Sequence, residues 1–164
     1  MDPPFIPLSV TLSTVSFVLI AQWYVLPKLL ELPRADAISP ILLFHSFRHI
    51  GLAFLIPGVT AEPLDLRFAE PAAWGDLLAA ALAFAALGAL RRDWRLAIPL
   101  VWVFNVFGTV DLLNAVYQGL THVPEGNLGA TYFIPAIVVP ALLVSHFVVF
   151  VLLMRRRAVI TVTV

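Results

Sequence analysis

The sequence predicts an all-α membrane protein, a single bundle of five transmembrane helices with the N-terminus outside and the C-terminus cytoplasmic. Three observations predict it. The chain of 164 residues is 61% hydrophobic and only 12% charged, about half the charged share of a soluble domain, and its mean hydropathy is +0.97. Five apolar stretches each approach the roughly 20 residues that a bilayer crossing requires. The basic residues alternate across those stretches. Residues 1–164 are therefore read as one five-helix domain, with spans at about 8–30, 38–57, 72–90, 97–118 and 130–154.

Composition also excludes. Ten basic and ten acidic residues cancel, which gives no reason to expect a nucleic acid partner. With no cysteine, disulfides, thiolate catalysis, iron–sulfur clusters and cysteine-ligated zinc are ruled out. The start Met1-Asp2-Pro3-Pro4 lacks the basic region and small-residue cleavage site of a signal peptide. The first apolar segment is expected to stay in the protein.

The first span carries Ser9, Ser13 and Ser16 as a small polar row, which suits close helix packing. Pro27 and Pro33 close it. The second span places two histidines and an arginine, His45, Arg48 and His49, among Ile, Leu, Phe and Ala. At α-helical spacing these three share one face. Ser46 falls off that face and is discounted as a nucleophile. Pro57-Gly58 stops the span, and Val59 to Pro71 is the longest polar stretch.

The third span is rich in Ala and Leu, with Asp76 near its start, and reads as a packing helix. Arg91-Arg92-Asp93-Trp94-Arg95 forms a tight basic turn. The fourth span holds Asn105, Thr109, Asp111 and Asn114. Asp111 and Asn114 share a face, whereas Asn105 and Thr109 lie on another arc. The loop from Gly119 to Gly129 has no Lys or Arg. The fifth span contains Pro135, Pro140, Ser145 and His146, and Arg155-Arg156-Arg157 follows it. Its prolines leave backbone carbonyls near Thr131 and Ala136 without donors, which predicts a kink beside a wet or ligand-filled space.

Orientation follows from charge. With the N-terminus outside, eight of the ten basic residues flank the cytoplasmic ends and only Arg67 lies outside, Arg48 being within the second span. Trp23, Tyr24, Trp94 and Trp102 then mark the inner interface, and Trp74, Tyr117 and Tyr132 the outer one.

Depth brings the polar residues of different spans to similar levels. At 1.5 Å rise per residue, His45, Asn105 and His146 lie roughly 10–12 Å from the inner ends of their spans, Arg48 and His49 about 15–17 Å, and Asp111 about 21 Å. Asp111 is the expected partner of Arg48, because a lone carboxylate in hydrocarbon is costly. The candidate catalytic groups are thus His45, His49 and Asp111, with Arg48, Asn105, Asn114 and His146 as ligand-binding groups.

Several functions suit that set. The first is a pocket that binds or transforms a lipid-soluble molecule, with imidazole as acid or base and Arg48 on an oxygen. The second is a structural subunit with a buried ion pair. Haem b could be held by His45 or His49 opposite His146, and a non-haem metal by His45 and His49, although only one carboxylate is near. A transport or proton path through five spans would call for a homo-oligomer, and no inverted repeat is visible.

The runs Phe47–Gly58, Pro71–Ala80, Val103–Ala115 and Ala130–Phe147 resemble small uncharacterised bacterial inner-membrane proteins. The resemblance spans residues 38 to 157, implies a multi-pass protein of the inner (plasma) membrane, and carries no activity. In size and span count the chain is also similar to the translocator (tryptophan-rich sensory) family, whose members bind porphyrins and sterols. The Trp/Pro-rich first loop of that family is absent here, the segment being Glu31-Leu32-Pro33-Arg34.

Overall fold

The computed structural model describes residues 5–155. The Met-Asp-Pro-Pro start, and Arg156 and Arg157 of the final basic run, lie outside the described residues. Among these there is helix and no strand. Five helices are long and apolar enough to cross a membrane: α1 (Phe5–Glu31), α2 (Arg34–Leu55), α3 (Leu66–Arg91), α4 (Ala97–His122) and α5 (Ile134–Met154).

Two of these helices absorb a proline by the same device. Pro27 and Pro140 lack the N–H that would continue an α-helical ladder. In each case a single π turn precedes the proline, Ala21–Val25 in α1 and Ile134–Val138 in α5, closed by Leu26 N–H to Ala21 O and Val139 N–H to Ile134 O. The extra residue in the turn re-registers the ladder before the missing donor. The kink expected in α5 is therefore a π turn.

Helix α2 changes type midway. Arg34–His45 is α-helical and Ser46–Leu55 is a 3₁₀ helix. Helix α3 starts at Leu66, six residues before the apolar pattern suggests, because Asp65 caps it. The Asp65 carboxylate accepts from the Arg67 backbone N–H at 2.8 Å and also holds the Arg67 guanidinium. The Arg67 side-chain and backbone hydrogen bonds push the Asp65 carboxyl down to about 2. At its other end α3 closes with Asp93 in the left-handed region (φ 50). Trp94 N–H there bonds Ala89 O and Asp93 N–H bonds Leu90 O, each a carbonyl of the last turn.

Helices α2 to α5 form the packed body, and α1 lies along α5. Alanines of α3, among them Ala83, Ala86 and Ala89, are buried against Ile38, Phe104, Val149 and Leu152, the close approach that small residues permit. A second apolar cluster, with Phe54, Phe68, Leu128 and Ile134, fills the opposite half. Beyond it the two long loops clasp, Ala61 N–H to Asn127 O and Ala130 N–H to Val59 O. A Cβ on Gly129 (φ 53) would strike Ala61 N, so the clasp needs glycine there. The polar residues of the spans lie between the two apolar clusters.

Candidate functional site

Arg48 is the hub. Its position follows from the 3₁₀ segment, whose three-residue turn superimposes every third residue. His45, Arg48, Gly51 and Phe54 are all buried on that repeat, and Arg48 faces the interior with 1% exposure. Its Nε donates to Asp76 Oδ1 at 2.8 Å, and Nη2 lies 2.7 Å from the same oxygen. Nη2 also donates to Asp111 Oδ2 at 2.6 Å. Nη1 donates to Gly108 O at 3.2 Å and stands 3.4 Å from His146 Nε2. One side chain thereby joins α2 to α3, α4 and α5, with a partner for every guanidinium nitrogen.

The hydrogen bonds fix both imidazole tautomers. Asn105 Nδ2 donates to His146 O at 3.2 Å, so Asn105 Oδ1 must accept from His146 Nδ1, 2.7 Å away. His146 Nε2 is then a lone pair facing Arg48. On the other ring, Ser145 Oγ donates to Leu142 O and accepts from His45 Nε2 at 2.9 Å. His45 Nδ1 is left as a bare lone pair, the one buried side-chain nitrogen or oxygen without a partner among the described residues. The two rings lie against each other with centroids 4.2 Å apart, and Phe104 covers both.

Glycines make the room. A Cβ at Gly108 would stand 2.6 Å from His146 Cε1 and 2.7 Å from Arg48 Nη1. Added at Gly51 it would overlap Asp76 Oδ2, and at Gly75 it would overlap Asp111 Oδ1. The carboxylates are thus seated directly on helix backbone.

Of the predicted residues, the structure brings His45, Arg48, Asn105, Asp111 and His146 together and leaves two outside. His49 is exposed, its Nδ1 near Ser46 O at 2.9 Å. The expected shared face assumed 100° per residue; at 120° per residue His49 lies a third of a turn from His45. Asn114 is exposed as well. Asn105 lies on its separate arc and is linked to Asp111 through His146 and Arg48. Ser46 is buried, and its hydroxyl donates to Leu43 O at 2.7 Å.

The residue that sequence reasoning missed is Asp76. Measured from Ala72 it seemed to sit at a helix end. Measured from Leu66 it is ten residues inside, about 15 Å along the helix. The capping signal at Asp65, with Arg67 beside it, could have found that start.

The arrangement does not fit a haem. Axial imidazoles must stand on opposite faces of the macrocycle, whereas His45 and His146 touch each other, and His49 faces away. His45 and His49, weighed above as a metal-binding pair, diverge for the same reason. Among the described residues no group of three or more His, Cys, Asp or Glu is placed to hold a metal ion.

A family model described as "Domain of unknown function (DUF8737)" matches residues 5–154, and the chain belongs to that family. Neither the curated proteins nor the solved structures contain a match to the chain.

Proposed function

We propose that this family member is a multi-pass protein of the bacterial inner membrane, N-terminus outside and C-terminus cytoplasmic, whose Arg48 centre binds a small lipid-soluble molecule carrying a hydrogen-bond donor. The observation that carries the reading is two carboxylates on one guanidinium. Asp76 and Asp111 each give one oxygen to Arg48, and the second oxygen of each has no hydrogen bond among the described residues. One carboxylate charge is therefore in excess, and in an apolar setting it needs a proton or a donor. The aspartate side chains are 11% and 12% exposed while that of Arg48 is fully covered. They form the accessible edge, where a hydroxyl or amine would arrive first. His45 Nδ1 is the free base of the cluster. Orientation is supported by Arg34, Arg91, Arg92, Arg95 and Arg155 gathering at one end, with Arg67 at the other.

The experiment is extraction and mass spectrometry of small molecules retained by the purified protein, compared with Asp76→Asn/Asp111→Asn. The amides keep an acceptor for Arg48 and lose the charge. Wild type should retain a donor-bearing lipid-soluble compound, and the folded double variant should not. The saturation of Arg48 favours a second reading, a purely structural lock between four helices. It predicts identical extracts and a change in stability alone, and that result overturns the binding proposal.

A further inference from the structure

We propose that the Arg-rich end of the bundle holds a site for the headgroup of an anionic phospholipid, separate from the Arg48 centre and resting on the membrane reading above. A cavity of about 710 Å³ opens there among the ends of all five helices. Arg34 and Arg155 line it and are held by backbone carbonyls. Arg34 Nη2 donates to Arg155 O, and Arg155 donates to Leu30 O at 3.1 Å and Leu32 O at 2.6 Å. These bonds aim both guanidiniums and leave each with N–H groups to spare. Among the described residues neither has a carboxylate partner.

Two helix starts converge on the same cavity, Arg34–Ala35 of α2 and Ala97–Ile98 of α4. Neither start has a side-chain cap; Ala97 N–H is taken by Trp94 O and Pro99 has no N–H, so the first-turn N–H groups of α2 and the Ile98 N–H of α4 add to the arginines. Asp93 also lines the cavity. Two arginines against one aspartate leave a net single positive charge, which suits a phosphodiester monoanion better than a polyphosphate. Leu30, Leu32 and Leu90 supply apolar wall, the surface that a glycerol backbone and the first acyl carbons need. A cavity at the helix ends lies at the level of lipid phosphates, and Trp94 on its wall is an interfacial residue. An anion and an apolar segment recognised together at that depth define a phospholipid rather than a free phosphate.

The test is native mass spectrometry of the full chain released from nanodiscs of equal phosphatidylglycerol and phosphatidylcholine. Wild type should retain phosphatidylglycerol at least about fivefold over phosphatidylcholine, a difference of about 1 kcal/mol. Arg34→Gln/Arg155→Gln should abolish the preference. So should Ile98→Trp, which keeps both charges and fills the cavity, and which carries the test if the double variant does not fold. Equal retention of the two lipids by wild type, or a preference unchanged in both variants, overturns the proposal. In a parallel thermal melt in detergent, inorganic phosphate should stabilise less than short-chain phosphatidylglycerol; equal stabilisation overturns the lipid assignment. Failure to enter nanodiscs would instead count against the membrane reading itself.

Discussion

Gly108→Ala tests the packing of the polar centre through one methyl group. The new Cβ would lie 2.6 Å from His146 Cε1 and 2.7 Å from both His146 Nε2 and Arg48 Nη1. Ordinary contact is about 3.5–4 Å, so the imidazole or the guanidinium must retreat by about 1 Å. Neither can swing away freely, because His146 is tied to Asn105 and Arg48 to two carboxylates. Overpacking of this kind costs about 1–3 kcal/mol. Losing the Arg48 Nη1 bond to Gly108 O adds about 1.5–3 kcal/mol for a charged donor, discounted because polar contacts between membrane helices average about 0.6 kcal/mol. Against this, Ala improves on Gly in a helix by about 1 kcal/mol. The net expectation is a loss of roughly 1–3 kcal/mol. Gly88→Ala is the control, since its Cβ would meet only the flexible tip of Arg92 at 3.3 Å, and it should be neutral or stabilising by up to about 1 kcal/mol. Equilibrium unfolding in mixed micelles measures both. If Gly108→Ala is as stable as Gly88→Ala, the close seating of Arg48 and His146 on α4 is wrong.

Arg48→Met strands two carboxylates and should destabilise by about 3–5 kcal/mol; Arg48→Lys, without the planar fork, should recover only part of that in the same assay. His49→Ala should change stability by less than about 0.5 kcal/mol, whereas His146→Ala should cost several times more, and equal effects would place His49 back in the cluster. Asp65 supplies a pH dependence. Its carboxyl is pushed down to about 2 by the Arg67 hydrogen bonds, so its contribution is complete above the ordinary carboxyl pKa of about 4 and is lost as pH falls toward 2. Wild type should therefore be more stable than Asp65→Ala at pH 6, with the gap narrowing on acidification, and a gap independent of pH would refute the capping role.

Much of the fold was legible because long apolar runs leave few options. Twenty apolar residues with backbone groups to satisfy can only be helical, and each of the five apolar runs coincides with one helix. Helix ends were less legible, because hydropathy follows side chains whereas a helix starts where its first N–H groups find an acceptor. Asp65 provides that acceptor before the apolar run begins, and Pro71, which looked like a boundary, is tolerated inside α3.

The same distinction explains which parts of the site could be read. That Arg48 must meet a carboxylate follows from electrostatics alone, and Asp111 was found that way. Which side of α2 the other residues occupy depends on helical twist, and nothing in the apolar pattern separates 100° from 120° per residue over one turn. His45 and Arg48, three apart, remain on a common side under either twist; His49, four apart, does so only in an α-helix. The 3₁₀ segment is what sends His49 outward and places Gly51 beneath Asp76, so the local twist of ten residues decides the membership of the cluster. A variant that restores α-helical twist from Ser46 to Leu55 would rotate Gly51 away from Asp76 and break the two-carboxylate arrangement. The helix type is thus part of the site.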